Sequence, residues 1–116
     1  MSCDTDVARD LIGQLEDVSV SEFDRYTKLE VSGRTFGYLW EPTQTVGLKQ
    51  TVAEQEALCA ERPAVFEVQF SAGGFGWVVV QLGGVERDEL AELVFEAWRL
   101  SAPARLLDQR GDKLPV

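Results

Sequence analysis

Two hydrophobic periods alternate along this chain. In residues 5–16, Val7, Ala8, Leu11, Ile12 and Leu15 recur every three or four positions, which is helical spacing. Asp4 or Thr5 supplies a side-chain oxygen to cap the helix start. From residue 28 the period changes to two. Leu29 and Val31 alternate with polar residues before a Ser32-Gly33 turn. Phe36, Tyr38 and Trp40 then fall on one face of a second strand, with Gly37 and Leu39 on the other. Pro42 breaks that strand, because proline lacks the N–H that a ladder needs. In a third strand, Val46, Leu48 and Gln50 share a face opposite Gly47 and Lys49.

Helical period returns over residues 51–62, where Thr51 and Glu54 have capping-box spacing and Pro63 ends the run. Residues 65–70, VFEVQF, read as a fourth strand with Phe66, Val68 and Phe70 on one face. A glycine-rich turn leads to a fifth strand at 75–82, FGWVVVQL. Residues 86–100 carry a broad apolar stripe of Leu90, Leu93, Val94, Ala97 and Trp98, with Asp88 and Glu89 near the helix start, where the helix dipole favours negative charge. Residues 104–109 give a further turn, and the tail 109–116 is expected to be loose.

The element order is therefore α-β-β-β-α-β-β-α. Short connections favour antiparallel pairing. The expected fold class is α+β, a two-layer domain with a five-stranded antiparallel sheet and helices on one face. Residues 1–116 are read as a single domain, since about 100–150 residues carry one core.

Charge narrows the range of partners. The formal net charge is −9, which works against nonspecific attraction to phosphate or anionic lipid. The acids are unevenly placed: residues 52–98 carry nine against two bases, whereas residues 25–51 carry four bases against two acids. Those four bases are Arg25, Lys28, Arg34 and Lys49. As a phosphate-binding strip they are few, because specific DNA binders neutralise several phosphates. Ordinary sheet-surface charge is the alternative reading.

Catalytic chemistry finds little support. Histidine is absent, which removes the commonest general base and metal ligand. Cys3 and Cys59 form no CxxC pair or Cys/His cluster, so no zinc or redox site is indicated. Glu89, Glu92 and Glu96 have i, i+3, i+7 spacing that could ligate a cation, set against a plain solvated face. The GGFG run at 73–76 precedes a strand, so it reads as a hairpin turn rather than a phosphate cradle. No cofactor, metal or catalytic residue is expected, and the protein is read as a non-enzyme. The strand aromatics either build a core or, facing solvent, stack nucleic-acid bases, and Trp77 is the candidate for a partly exposed ring. No apolar run approaches the roughly 18 residues of a membrane span. The polar opening MSCDTD and two unpaired thiols give a cytoplasmic expectation.

The run GRTFGYLW, then VGLKQT, a helix ending ERP, GFGWVVVQL, and the final ELAELVFEAWRLSAPARLL together resemble the MmcQ/YjbR family of small bacterial proteins. The resemblance covers roughly residues 5–108 and carries over Gly33, Phe36, Leu48, Lys49 and Trp77 as pattern positions. Ala97-Trp98 stands where many relatives show Ser-Tyr. The resemblance implies a five-stranded antiparallel sheet, similar to that of secretion-chaperone-like proteins, and no catalytic residues. It also implies a DNA-binding label, drawn from two hairpins that look like wings. The expected function is a binding module, nominally for DNA, with Arg25, Lys28, Arg34, Lys49 and Trp77 as partner contacts. The alternative is an acidic protein–protein adaptor that uses its sheet face or edge, as monomer or homodimer.

Overall fold

The computed structural model describes residues 2–116. The elements in chain order are α1 (Thr5–Gly13), β1 (Val18–Glu22), β2 (Thr27–Val31), β3 (Arg34–Trp40), β4 (Thr45–Thr51), α2 (Val52–Glu61), β5 (Phe66–Ala72), β6 (Phe75–Gln81), α3 (Arg87–Arg99) and α4 (Ala104–Arg110). The strands form one antiparallel sheet in the order β1-β2-β3-β4-β6-β5. The fold class is α+β as expected, but the sheet has six strands rather than five. The extra strand is β1, VSVSE, an edge strand with only two apolar positions. Its weak alternation sits directly after a helix and hides among serines and acids. Asp17, at φ 57°, turns the chain into β1 and accepts from Ser32 N at 3.3 Å.

The helices lie over one face of the sheet. α3 crosses the centre and buries Leu90, Val94 and Trp98 against Phe36, Val46 and Leu48. Each such side chain contributes about 1.5–3 kcal/mol when fully buried. Asp4 caps α1 by accepting from Val7 N, and Thr51 caps α2 by accepting from Glu54 N. Helix α2 has little apolar stripe, and its one buried residue is Gln55. Gln55 Nε2 donates to the carbonyls of Phe70 and Trp77, at 3.1 and 3.0 Å. Gly76 makes room for it: a Cβ there would stand 2.7 Å from Gln55 Cβ.

Two β-bulges change which way the aromatic residues point. In β3 the register with β2 steps from Gly37↔Leu29 to Thr35↔Glu30, leaving Phe36 unpaired. Phe36 therefore joins Leu39 in the core instead of sharing a face with Tyr38 and Trp40 as strict alternation predicts. In β5 the register with β6 steps from Val68↔Val78 to Phe70↔Trp77, skipping Gln69. Phe70 consequently lies with Trp77, not with Phe66. The tail also departs from expectation. Val116 N donates to Gln14 Oε1 at 2.9 Å, Gln14 Nε2 returns a bond to Val116 O at 2.8 Å, and Pro115 is buried. These contacts dock the tail on α1.

Gly37 sits where β3 meets β4, and a Cβ would approach Gly47 O to 2.9 Å and Leu29 Cδ1 to 3.0 Å. Backbone cannot yield as a side-chain tip can. Gly37→Ala is expected to destabilise the fold by about 1–3 kcal/mol. Gly13→Ala, in helical backbone with nothing within 4 Å, is expected to stabilise it by about 0.5–1 kcal/mol. Urea unfolding of both variants checks the opposite signs.

Candidate functional site

Among the described residues no helix covers the second face of the sheet, and it carries a connected run of aromatic rings. Phe23 stacks on Tyr26 at 4.9 Å between ring centroids, and Tyr26 meets Tyr38 edge-on at 5.9 Å. Tyr38 lies 6.1 Å from Trp40 and 5.8 Å from Trp77, and Trp77 lies 5.1 Å from Phe70. These spacings fall in the range of favourable ring pairs, worth about 0.5–1.5 kcal/mol each beyond area burial. The run starts at the β1–β2 turn and crosses β3 and β6 to the β5 edge. Phe23 is 52% exposed and Phe70 39%. Tyr26, Tyr38 and Trp40 are half-buried.

Trp77 does not have the partly exposed position expected of it: it is 7% exposed, covered by Tyr38 and Phe70. It is the floor of the face rather than its contact surface. Beside it, Gln69 lies across Gly47, where a Cβ would stand 2.2 Å from Gln69 Oε1 and 2.9 Å from Trp40 Cη2. Gln69 Oε1 is buried without a hydrogen-bond partner. Sequence alternation could not find Gln69, because its position comes from the bulge.

The four bases do not form one strip. Arg25 is exposed in the β1–β2 turn, and Lys28 lies near the same end, opposite Tyr38 and 4.0 Å from Glu30. Arg34 and Lys49 lie toward the other end of β2, separated from the first pair by a strand rising about 3.3 Å per residue. Lys49 is engaged internally. Its Nζ donates to Ser101 Oγ at 3.1 Å and lies 4.1 Å from the Phe75 ring centroid. Burial pushes the Lys49 ammonium below the usual lysine range, with the Arg34 charge adding to the shift.

The helical layer holds most of the acid. Glu89 is tied to Arg62 at 2.7 Å and Glu96 to Arg99 at 2.6 Å. Glu54 of α2 and Glu96 of α3 bring their carboxyls within hydrogen-bonding reach of one another, a pair the sequence spacing did not reveal. Partial burial raises Glu54 above the usual glutamate range, and the contact with Glu96 adds to it. Both thiols are raised by burial, with the Glu86 charge adding at Cys3 and the Glu67 charge at Cys59. Among the described residues no three His, Cys, Asp or Glu side chains gather as a metal site would require, and no helix is long and apolar enough to cross a membrane.

The six-stranded antiparallel sheet layered with helices defines an α+β domain. A family model described as YjbR matches residues 13–100, and the chain belongs to that family. A crystal structure of Deinococcus radiodurans protein DR2400, described with a DUF419 domain, is similar in fold with a TM-score of 0.75. It shares 19% identity, over 97% of this chain and 83% of that one. No curated protein matches the chain.

The raised Glu54 carboxyl sets a pH dependence. The folded state binds this proton more tightly than the unfolded state does. Its stabilising contribution is therefore present at low pH and lost as pH rises through the folded value. Glu54→Gln, which keeps an oxygen for Thr51, is expected to leave the melting temperature near wild type at about pH 4 and to raise it at about pH 8. Thermal unfolding at both values checks this.

Proposed function

We propose that this YjbR-family domain is a non-catalytic binding module that holds a protein partner against its aromatic sheet face. The observation that carries the reading is the connected run from Phe23 to Phe70 on a face that no helix covers. Exposed aromatic clusters of this kind anchor protein partners, because large rings bury much area at small entropic cost. The charge distribution supports it. The acids of α2 and α3 lie on the opposite layer, while this face mixes rings with a few charges of both signs such as Lys28, Glu30 and Glu67. A partner offering apolar side chains would meet little electrostatic opposition there.

A second reading, single-stranded nucleic acid stacked on the same rings, draws support from register. Tyr38 lies opposite Lys28, and Trp77 lies opposite Lys49. Against it, Trp77 is covered, Lys49 is occupied by Ser101 and Phe75, and the net charge is −9.

A photo-crosslinking phenylalanine analogue at Phe23 is expected to capture one protein in the native host, and the same analogue at Asp108 is not. The captured protein, once purified, should bind wild type and lose about tenfold or more in affinity with Trp40→Ser. Fluorescence anisotropy with mixed-sequence single- and double-stranded DNA at about 50 mM salt is expected to show no saturable binding. Steeply salt-dependent DNA binding that Lys28→Glu weakens would replace the protein reading with the nucleic-acid one.

A further inference from the structure

A second site lies on the helical side of the molecule, independent of any partner on the sheet face. A cleft of about 250 Å³ between α2 and α3 is lined by Gln50, Glu54 and Glu96, with Ala57, Leu58 and Leu93 among its walls. Gln50 is 1% exposed. Its Nε2 donates to Lys49 O at 2.9 Å and to Leu93 O at 3.1 Å. Two carbonyl acceptors on one side fix the orientation of the amide, because the oxygen could satisfy neither of them. Gln50 Oε1 is thereby left buried and without a partner, on a residue that lines the cleft. A buried acceptor with no donor costs roughly 1–3 kcal/mol, so it calls for a donor from outside the fold.

The two carboxyls ask for the same thing. Glu54 Oε1 accepts from Thr51 Oγ1 at 2.9 Å, and Glu96 Oε1 pairs with Arg99. The Thr51 backbone N–H also donates to the Glu54 carboxyl, and the Glu54 and Glu96 carboxyls face one another between α2 and α3. No basic side chain pairs with Glu54 in the way Arg99 pairs with Glu96. The nearby acids Glu89 and Glu92 belong to the same cleft, and Glu89 is already bound to Arg62. Three acceptor side chains lining one cleft, with one positive charge missing, match a group that has three N–H donors and one charge. A bare divalent ion fits less well, since hard cations take about six or more oxygen ligands and only two carboxylates converge here. The apolar walls suit methylene groups.

We propose that this cleft binds the primary ammonium group of an aliphatic amine, held by the Glu54 and Glu96 carboxylates and the Gln50 amide oxygen. The ammonium donates to all three oxygens, and the attached chain lies against Ala57, Leu58 and Leu93. The same chemistry is offered by a free polyamine and by a lysine side chain, and two probes separate them.

The test is isothermal titration calorimetry of the full chain with spermidine and, separately, with Nα-acetyl-lysine amide. Saturable binding of either probe is expected, with spermidine the tighter if the natural ligand is a free polyamine and the lysine amide the tighter if it is a protein side chain. Glu54→Gln should weaken binding by about tenfold or more, while Glu56→Gln, the same charge change at an exposed position on α2, should not. On the wild-type protein, amide NMR should show the largest shifts at the Gln50 side-chain NH2 and the Leu93 backbone. Equal weakening by both variants, or shifts spread over the exposed acids Asp88 and Asp108 outside the cleft, would reduce the effect to diffuse charge and overturn the proposal. Absence of saturable binding would overturn it as well, as would calcium or magnesium that binds more tightly and displaces the amine.

Discussion

Side chains alternate across a β-strand, so a single extra residue sends every later side chain to the opposite face. This sheet contains two such insertions, at Phe36 in β3 and at Gln69 in β5. The first moves Phe36 under α3 while leaving Tyr38 and Trp40 on the far side, and the second brings Phe70 beside Trp77. The aromatic face exists because of these offsets. The second bulge is locked by Gln55, whose amide nitrogen takes the carbonyls of Phe70 and Trp77. Helix α2, which has almost no apolar stripe of its own, is held to the sheet partly by that polar anchor. The capped helix thus links the geometry of one face to that of the other.

The division of the molecule follows. One face of the sheet is sealed by α1, α2 and α3 around Trp98, whose indole nitrogen donates to Glu16 O at 2.9 Å. Trp98 stands where relatives are expected to have tyrosine, and it satisfies its polar atom with a backbone carbonyl rather than opening a polar site. The acids spread over the outside of the helical layer. The other face keeps its rings partly in water and carries few charges. Proteins seldom leave contiguous apolar surface without a use, which makes that face the place to look for a partner.

Much of this was legible in the chain. Helical spacing locates α1, α2 and α3, and the Thr51–Glu54 capping box is formed, Glu54 N donating to Thr51 Oγ1 and the Thr51 backbone N–H to the Glu54 carboxyl. Alternation located five strands, and the family resemblance was correct. The features that the sequence hides share a physical origin. β1 was missed because an edge strand needs only two apolar residues, and Val18 and Val20 do not stand out among serines. The facing of Phe36 and Phe70 departs from alternation because a bulge is set by pairing with a neighbouring strand, which no local period records. Trp77 reads as partly exposed in the sequence because its cover, Tyr38 and Phe70, comes from β3 and β5. The Glu54–Glu96 pair and the unpartnered Gln50 oxygen were invisible for the same reason, since α2 and α3 are far apart in sequence.

The bulges leave Tyr38, Trp40 and Phe70 on the open face, the first two half-buried, while Phe36 and Trp98 are sealed. Paramagnetic relaxation of aromatic side-chain NMR signals by a neutral soluble agent measures this directly. The account predicts strong attenuation at Phe23 and Phe70, weaker attenuation at Tyr38 and Trp40, and none at Phe36 or Trp98. Attenuation of Phe36 together with Tyr38 and Trp40, as uninterrupted alternation would give, would contradict it.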